Sequence, residues 1–88
     1  MLHKLKTEPS YFNAVLRGDK TFELRKNDRS FRLNDELLLE EFIPENYYED
    51  GKPAEYSGRI IHRRISYILT GGKFGLEKDF VILGLAVI

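Results

Sequence analysis

The sequence predicts an α+β, mostly β domain: a small, partly closed sheet or barrel with one short N-terminal helix. Three observations lead there. Only one segment, near the N-terminus, repeats its apolar residues at helical spacing. Several later segments are short, rich in Ile, Val, Leu and aromatic residues, and bounded by Gly, Asn, Asp or Pro. The order is strand, helix, then a run of strands, and 88 residues give room for one domain, 1–88, with a modest core.

Leu2 to Lys6 alternates weakly and reads as a short strand. In Thr7-Glu8-Pro9-Ser10, Thr7 is suited to cap a helix, Glu8 favours its positive end and Pro9 fits the first turn. Tyr11, Phe12, Val15 and Leu16 follow at helical spacing, and Gly18 is suited to end the helix. Thr21 to Arg25 alternates as a strand, with Thr21, Glu23 and Arg25 on one face and Phe22 and Leu24 on the other. If the apolar pair faces the core, the polar trio is displayed. Asn27-Asp28 reads as a turn.

Glu36 to Phe42 allows helix by composition, but the preceding Asn34-Asp35 turn and its short length favour a strand. Pro44 to Gly58 is acidic and polar and reads as a long loop or hairpin excursion. Arg59 to Leu69 predicts a long strand. Gly71-Gly72-Lys73-Phe74-Gly75 interrupts the pattern, and Phe80 to Ile88, the most apolar run, predicts a central strand buried on both faces. Gly84 and Ala86 share a face of that run where a neighbour can pack closely.

Composition narrows the functional classes. Without cysteine there is no disulfide, thiolate or cysteine-zinc chemistry, which fits a reducing, cytoplasmic setting. No apolar run approaches the ~20 residues that span a bilayer, so no membrane partner is expected. The formal net charge is zero but unevenly spread. Cations exceed acids by four from Met1 to Arg32, acids exceed cations by seven from Leu33 to Gly58, and cations lead by three thereafter. A zero total disfavours strong non-specific duplex binding yet permits a local basic site with an acidic border.

The densest set of hydrogen-bonding groups is Gly18 to Arg29. Lys20, Glu23 and Arg25 together suit an anion or a polar base; the alternative is a surface strand whose charges neutralise one another. Glu23, between two cations, reads as a fixed acceptor rather than a general base. His3 reads as a structural histidine and His62 as part of a solvated basic face; their separation gives no metal-ligand spacing. The glycine-rich loop offers amides to a phosphate and Phe74 to a base, or is simply a turn with Phe74 tucked into the core. Tyr47, Tyr48 and Tyr56 either stack on a ligand or pin the acidic loop to the body of the domain.

Gly18-x-Lys20-x-x-Glu23-x-Arg25 resembles the ASCH domain of the PUA-like superfamily. The wider pattern is closer still to a small ASCH-like family of bacteria and their phages, DUF3850. It is matched by His3-x-Leu5-Lys6, Pro9, Phe12, the central element extended to Asp28-Arg29, Tyr67-Ile68-Leu69 and Gly71-Gly72-x-Phe74-Gly75-Leu76. The resemblance implies a PUA-like β-barrel with a cleft beside the central element and an RNA or nucleotide-like ligand. The expected ligand-binding set is His3, Lys6, Lys20, Thr21, Glu23, Arg25, Asp28, Arg29 and Phe74, with no cofactor and no metal. Lys6, Lys20, Arg25 and Arg29 would meet phosphate, and Glu23 a base or sugar hydroxyl. One ASCH branch comprises amidohydrolases of N4-acylated cytidines that use Lys, Thr and Glu. Lys20 matches their lysine, but Glu23 stands where their threonine would be. If the chain were enzymatic, Lys20 and Glu23 would polarise a nucleoside-like amide. A third expectation is a phage or host adaptor that meets a protein through the acidic loop.

Overall fold

The computed structural model describes all 88 residues. Its elements are β1 (Leu2–Thr7), α1 (Pro9–Leu16), β2 (Phe22–Lys26), β3 (Glu36–Ile43), β4 (Glu55–Thr70) and β5 (Phe80–Val87). The strands form one curled sheet, a half-barrel, in the order β1-β3-β4-β5-β2. β1 runs parallel to β3, and every other pairing is antiparallel. The mostly-β α+β architecture expected from the sequence is thus present. No helix is long and apolar enough to cross a membrane.

The core lies inside the curl. Leu5, Leu37, Leu39, Ile61, Ile65, Val81 and Leu83 project into it from the strands, and Phe12 and Val15 from the helix. These positions alternate along each strand, as a sheet with one covered face requires.

Several local expectations change. Thr7 is not the helix cap: the chain stays extended through Glu8 (ψ 151°), and Pro9 opens the helix. A residue before proline avoids the helical region, so Glu8 becomes the boundary and Thr7 remains the last residue of β1. The helix keeps its expected end. Gly18 turns left-handed (φ 85°), and the amides of Asp19 and Lys20 both donate to the Ala14 carbonyl at 3.0 Å. Tyr11 and Leu16 are exposed, since only Phe12 and Val15 of the four apolar residues meet the core.

β4 begins at Glu55, so the acidic loop is shorter than expected and its last residues pair with β3 (Tyr56 with Phe42). β5 is central in the hydrogen-bond order but covered on one side only. Val81 and Leu83 are buried, whereas Phe80, Ile82, Gly84 and Ala86 are half-buried and Val87 and Ile88 are exposed. The single short helix covers the inner face alone, so the outward apolar residues of this run stay partly exposed.

Candidate functional site

β2 presents the face opposite to the expected one. Glu23 pairs with Leu83 and Arg25 with Val81, while Phe22 pairs with Gly84 and Leu24 with Ile82. Directly paired residues share a face of a sheet. Leu83 and Val81 point into the core, so Glu23 and Arg25 point inward with them, and Phe22 and Leu24 turn outward. The result is a glutamate that is only 3% exposed beside two apolar side chains nearly half exposed.

Each oxygen of the buried carboxylate accepts one hydrogen bond from a cation. Lys20 Nζ donates to Glu23 Oε1 at 2.9 Å and to the Phe22 carbonyl at 2.7 Å. Arg25 Nε donates to Glu23 Oε2 at 2.9 Å. Arg25 Nη2 crosses to β1, donating to the Lys6 carbonyl at 2.7 Å and Thr7 Oγ1 at 3.3 Å. Thr7 Oγ1 in turn donates to the Leu5 carbonyl. The third proton of Lys20 and both protons of Arg25 Nη1 remain for another acceptor.

Above this group lies a cleft of about 480 Å³, lined by Lys6, Thr7, Glu8, Tyr11, Lys20, Phe22, Glu23, Leu24 and Arg25. Its lining holds three cations against two carboxylates. The rings of Tyr11 and Phe22, both about half exposed, flank Lys20, with centroids 5.7 and 5.1 Å from its ammonium. A volume of this size suits a small organic ligand. The polar floor presents a fixed carboxylate and two cationic donors, and the rings offer flat apolar surfaces.

Of the residues expected from sequence, Lys20, Glu23 and Arg25 converge here with Lys6. The Lys6 ammonium itself lies over the Phe42 ring, 4.5 Å from its centroid. His3 is elsewhere. It is buried, its Nε2 lies 2.8 Å from Asp35 Oδ2 and its ring meets Phe31 edge-on. Asp28 and Arg29 line a smaller neighbouring pocket with Arg25 and Phe31, and Arg29 donates to the Lys4 carbonyl at 2.8 Å. Thr21 sits just before β2, where its carbonyl accepts from the Leu85 amide, and it does not line the cleft. Phe74 is 89% exposed at the tip of its loop, neither tucked into the core nor on the cleft. The amides of Gly71, Gly72 and Leu76 close the turn itself, bonding to the carbonyls of Phe80, Leu76 and Lys73. These three are therefore committed before any phosphate arrives.

Sequence reasoning overlooked Thr7, Glu8, Tyr11, Phe22 and Leu24 as lining residues, and a second buried carboxylate. Glu41 follows Leu37 and Leu39 on the inner face of β3, a spacing of two that could have marked it. Arg59 grips it through Nε and Nη2 at 2.9 and 2.8 Å and also reaches Asn13 Oδ1 on the helix. Those bonds, with a contribution from Ser57, hold the Glu41 carboxyl below its ordinary range despite burial. The Arg59 guanidinium lies 4.7 Å from the Phe12 ring centroid. This cluster locks the helix to the sheet beside the cleft.

Comparison with known proteins bears on the same residues. A protein of Escherichia phage P2, described as an uncharacterized 12.9 kDa protein in GpA 3'region, is 33% identical over 82 residues. The alignment covers 93% of this chain and 65% of the phage protein, so the chain spans just under two thirds of that relative's length. The family model described as a domain of unknown function, DUF3850, matches residues 2–85, a span that includes every residue of the cleft. The chain belongs to the DUF3850 family.

Proposed function

We propose that this chain is a nucleic-acid or nucleotide-binding module, with RNA as the favoured ligand, and that the cleft beside Glu23 receives a base. One observation carries the reading: an almost wholly buried carboxylate, held by Lys20 and Arg25, floors a cleft flanked by two half-exposed aromatic rings. A nucleobase is flat, carries amino or imino donors for a carboxylate, and carries carbonyl or ring-nitrogen acceptors for Lys20 and Arg25 Nη1. Unstacked bases of single strands can enter such a cleft, whereas paired bases cannot. The residues that build the floor are those of Gly18-x-Lys20-x-x-Glu23-x-Arg25, which supports placing the family among ASCH-type, PUA-like barrels. A reducing cytoplasm is the setting we propose for it.

A second reading has its own support. Lys20 and Glu23, the pair that would polarise a nucleoside-like amide, are in direct contact in the same cleft. Titration of wild type, Glu23→Gln and Lys20→Ala against short single-stranded RNAs, run beside a hydrolysis assay on N4-acetylcytidine, separates the two. Recognition predicts RNA binding that weakens by roughly 1.5–3 kcal/mol in Glu23→Gln, the range for charge-assisted hydrogen bonds. It also predicts a Lys20→Ala defect, one that persists as salt rises where the ammonium meets the base and shrinks where it meets phosphate. Turnover by wild type without RNA binding at low salt would replace this reading with the hydrolase.

A further inference from the structure

The outer face of β2, β5 and β4 is apolar and has no covering layer. Register places Phe22 beside Gly84 and Gly84 beside Tyr67; one rung along lie Leu24, Ile82 and Leu69. Phe22 and Tyr67 are 45% and 65% exposed. Gly84 has no side chain, so Phe22 and Tyr67 stand on either side of an open strip of backbone, on strands two spacings or about 10 Å apart. A bulge between Ile65 and Tyr67 returns Tyr67 to this face. Gly84 is close-fitted there, since a Cβ on it would lie 3.1 Å from Ser66 Oγ and 3.2 Å from Tyr67 Cβ.

Charge and position indicate what covers this face. The outward residues of β2 and β5, and those of β4 paired with them, include the cations Lys26 and Arg64 and no carboxylate. The Lys20 ammonium lies 5.1 Å from the Phe22 ring centroid. Phe22 and Leu24 also line the cleft, so the two surfaces are continuous. Exposed rings on an uncovered sheet face, with Lys20 and Lys26 on its β2 side and with Arg64 paired to Glu36 of β3 on its other side, suit stacked bases with phosphates along the β2 margin.

We propose that this face is a stacking platform for single-stranded nucleic acid, continuing the strand whose base occupies the cleft. This rests on the cleft reading and deepens it: the ligand is an oligonucleotide, with one base beside Glu23 and a neighbouring base on Phe22 or Tyr67. A mononucleotide fills the cleft alone.

The test uses fluorescence anisotropy with labelled uridine and adenosine RNA hexamers, competed by UMP and AMP. Hexamers should bind at least about tenfold more tightly than the monophosphates, given the ~1–3 kcal/mol per stacked base found in such sites. Tyr67→Ala should weaken hexamer binding about five- to fifty-fold and leave the monophosphates unchanged. Tyr67→Phe should restore it, because the ring and not the hydroxyl is used. Phe22→Ala should weaken both ligands. Hexamer affinity unchanged in Tyr67→Ala overturns the platform while leaving the cleft reading intact. Hexamer binding that needs Tyr67 but is indifferent to Glu23→Gln, with no monophosphate binding, keeps the platform and removes the cleft. A dimer seen by sedimentation and abolished by Tyr67→Ala, with no hexamer binding, reassigns the face to a second copy of the chain.

Discussion

At the scale of single residues, the chain spends buried charge where stability alone would not call for it. Glu23 and Glu41 each sit almost entirely out of water, and each is held by a guanidinium. Replacing a buried ion pair with packed apolar groups is often neutral or stabilising, so a retained pair invites a functional account. For Glu23 the proposed base site supplies one, since its two partners, Lys20 and Arg25, keep free protons facing the cleft. Asp35 has a structural role. Its Oδ2 meets His3 and the Arg32 amide, and Oδ1 meets the N-terminal ammonium. The His3 hydrogen bond is the chief cause lowering its pKa from 3.8 to about 2; burial opposes it, and the N-terminus and Arg32 amide add to it. A folded-state value below the unfolded one means the stabilisation is present above about pH 4 and is lost as pH falls through about 2. Thermal melts should therefore show wild type losing stability across that window, with a flatter profile in Asp35→Asn. Glu41 is shifted in the same direction, so Glu41→Gln should remove part of the acid loss and leave the Asp35 part. An Asp35→Asn profile parallel to wild type would show that the contacts of the Asp35 carboxylate contribute nothing to the acid loss.

At the scale of elements, two glycines near opposite ends of the β4–β5 hairpin differ in what they tolerate. A Cβ at Gly71 would overlap the Glu77 carbonyl oxygen and lie 2.7 Å from that of Phe80, both backbone atoms. At Gly84 the nearest atom belongs to the Ser66 side chain, which can move. Gly71→Ala is therefore expected to destabilise by at least the ~1–3 kcal/mol usual for overpacking, and Gly84→Ala by less. Gly84→Val, whose branches press on Tyr67, should fall between them. Urea melts of the three variants check the order, and equal midpoints for Gly71→Ala and wild type would mean that the turn re-forms around the methyl. β2 teaches a related point. Its alternation of polar and apolar residues was plain in the sequence, but alternation names two faces without saying which is inside. The pairing with Leu83 and Val81 decided that, and a slip of one residue would have reversed it.

At the scale of the whole molecule, the half-barrel ends in two edge strands, β1 and β2, with no backbone ladder between them. Arginine side chains bridge the gap: Arg25 bonds the Lys6 carbonyl and Arg29 the Lys4 carbonyl. Exposed edges invite unwanted pairing, and covering their carbonyls is one protection. Arg25 both holds Glu23 and ties β2 to β1, so the proposed binding and the closure share a residue. Arg29 serves closure without lining the main cleft. Arg29→Ala should raise hydrogen exchange in β1 while β4 and β5 stay protected, with a small loss of melting temperature. Uniform exchange across the sheet would show that the seam is not a separate weak point.

The sequence by itself determined the element types, the single helix with its proline start and glycine end, the strand at Glu36 to Phe42, and the clustering of Lys20, Glu23 and Arg25. Each of these rests on interactions within a few residues, or on a periodicity that survives in any fold. The tertiary structure decided which face of β2 is inside, that β5 is covered on one side only, and that His3 belongs to Asp35 rather than to the cleft. It also recruited Tyr11 and Thr7 to the site and joined Glu41 to Arg59. These depend on strand register and on contacts between residues far apart in the chain, such as the eighteen positions that separate Glu41 from Arg59. A local pattern cannot encode such a choice, because the free energy that makes it lies in the packing of the assembled sheet.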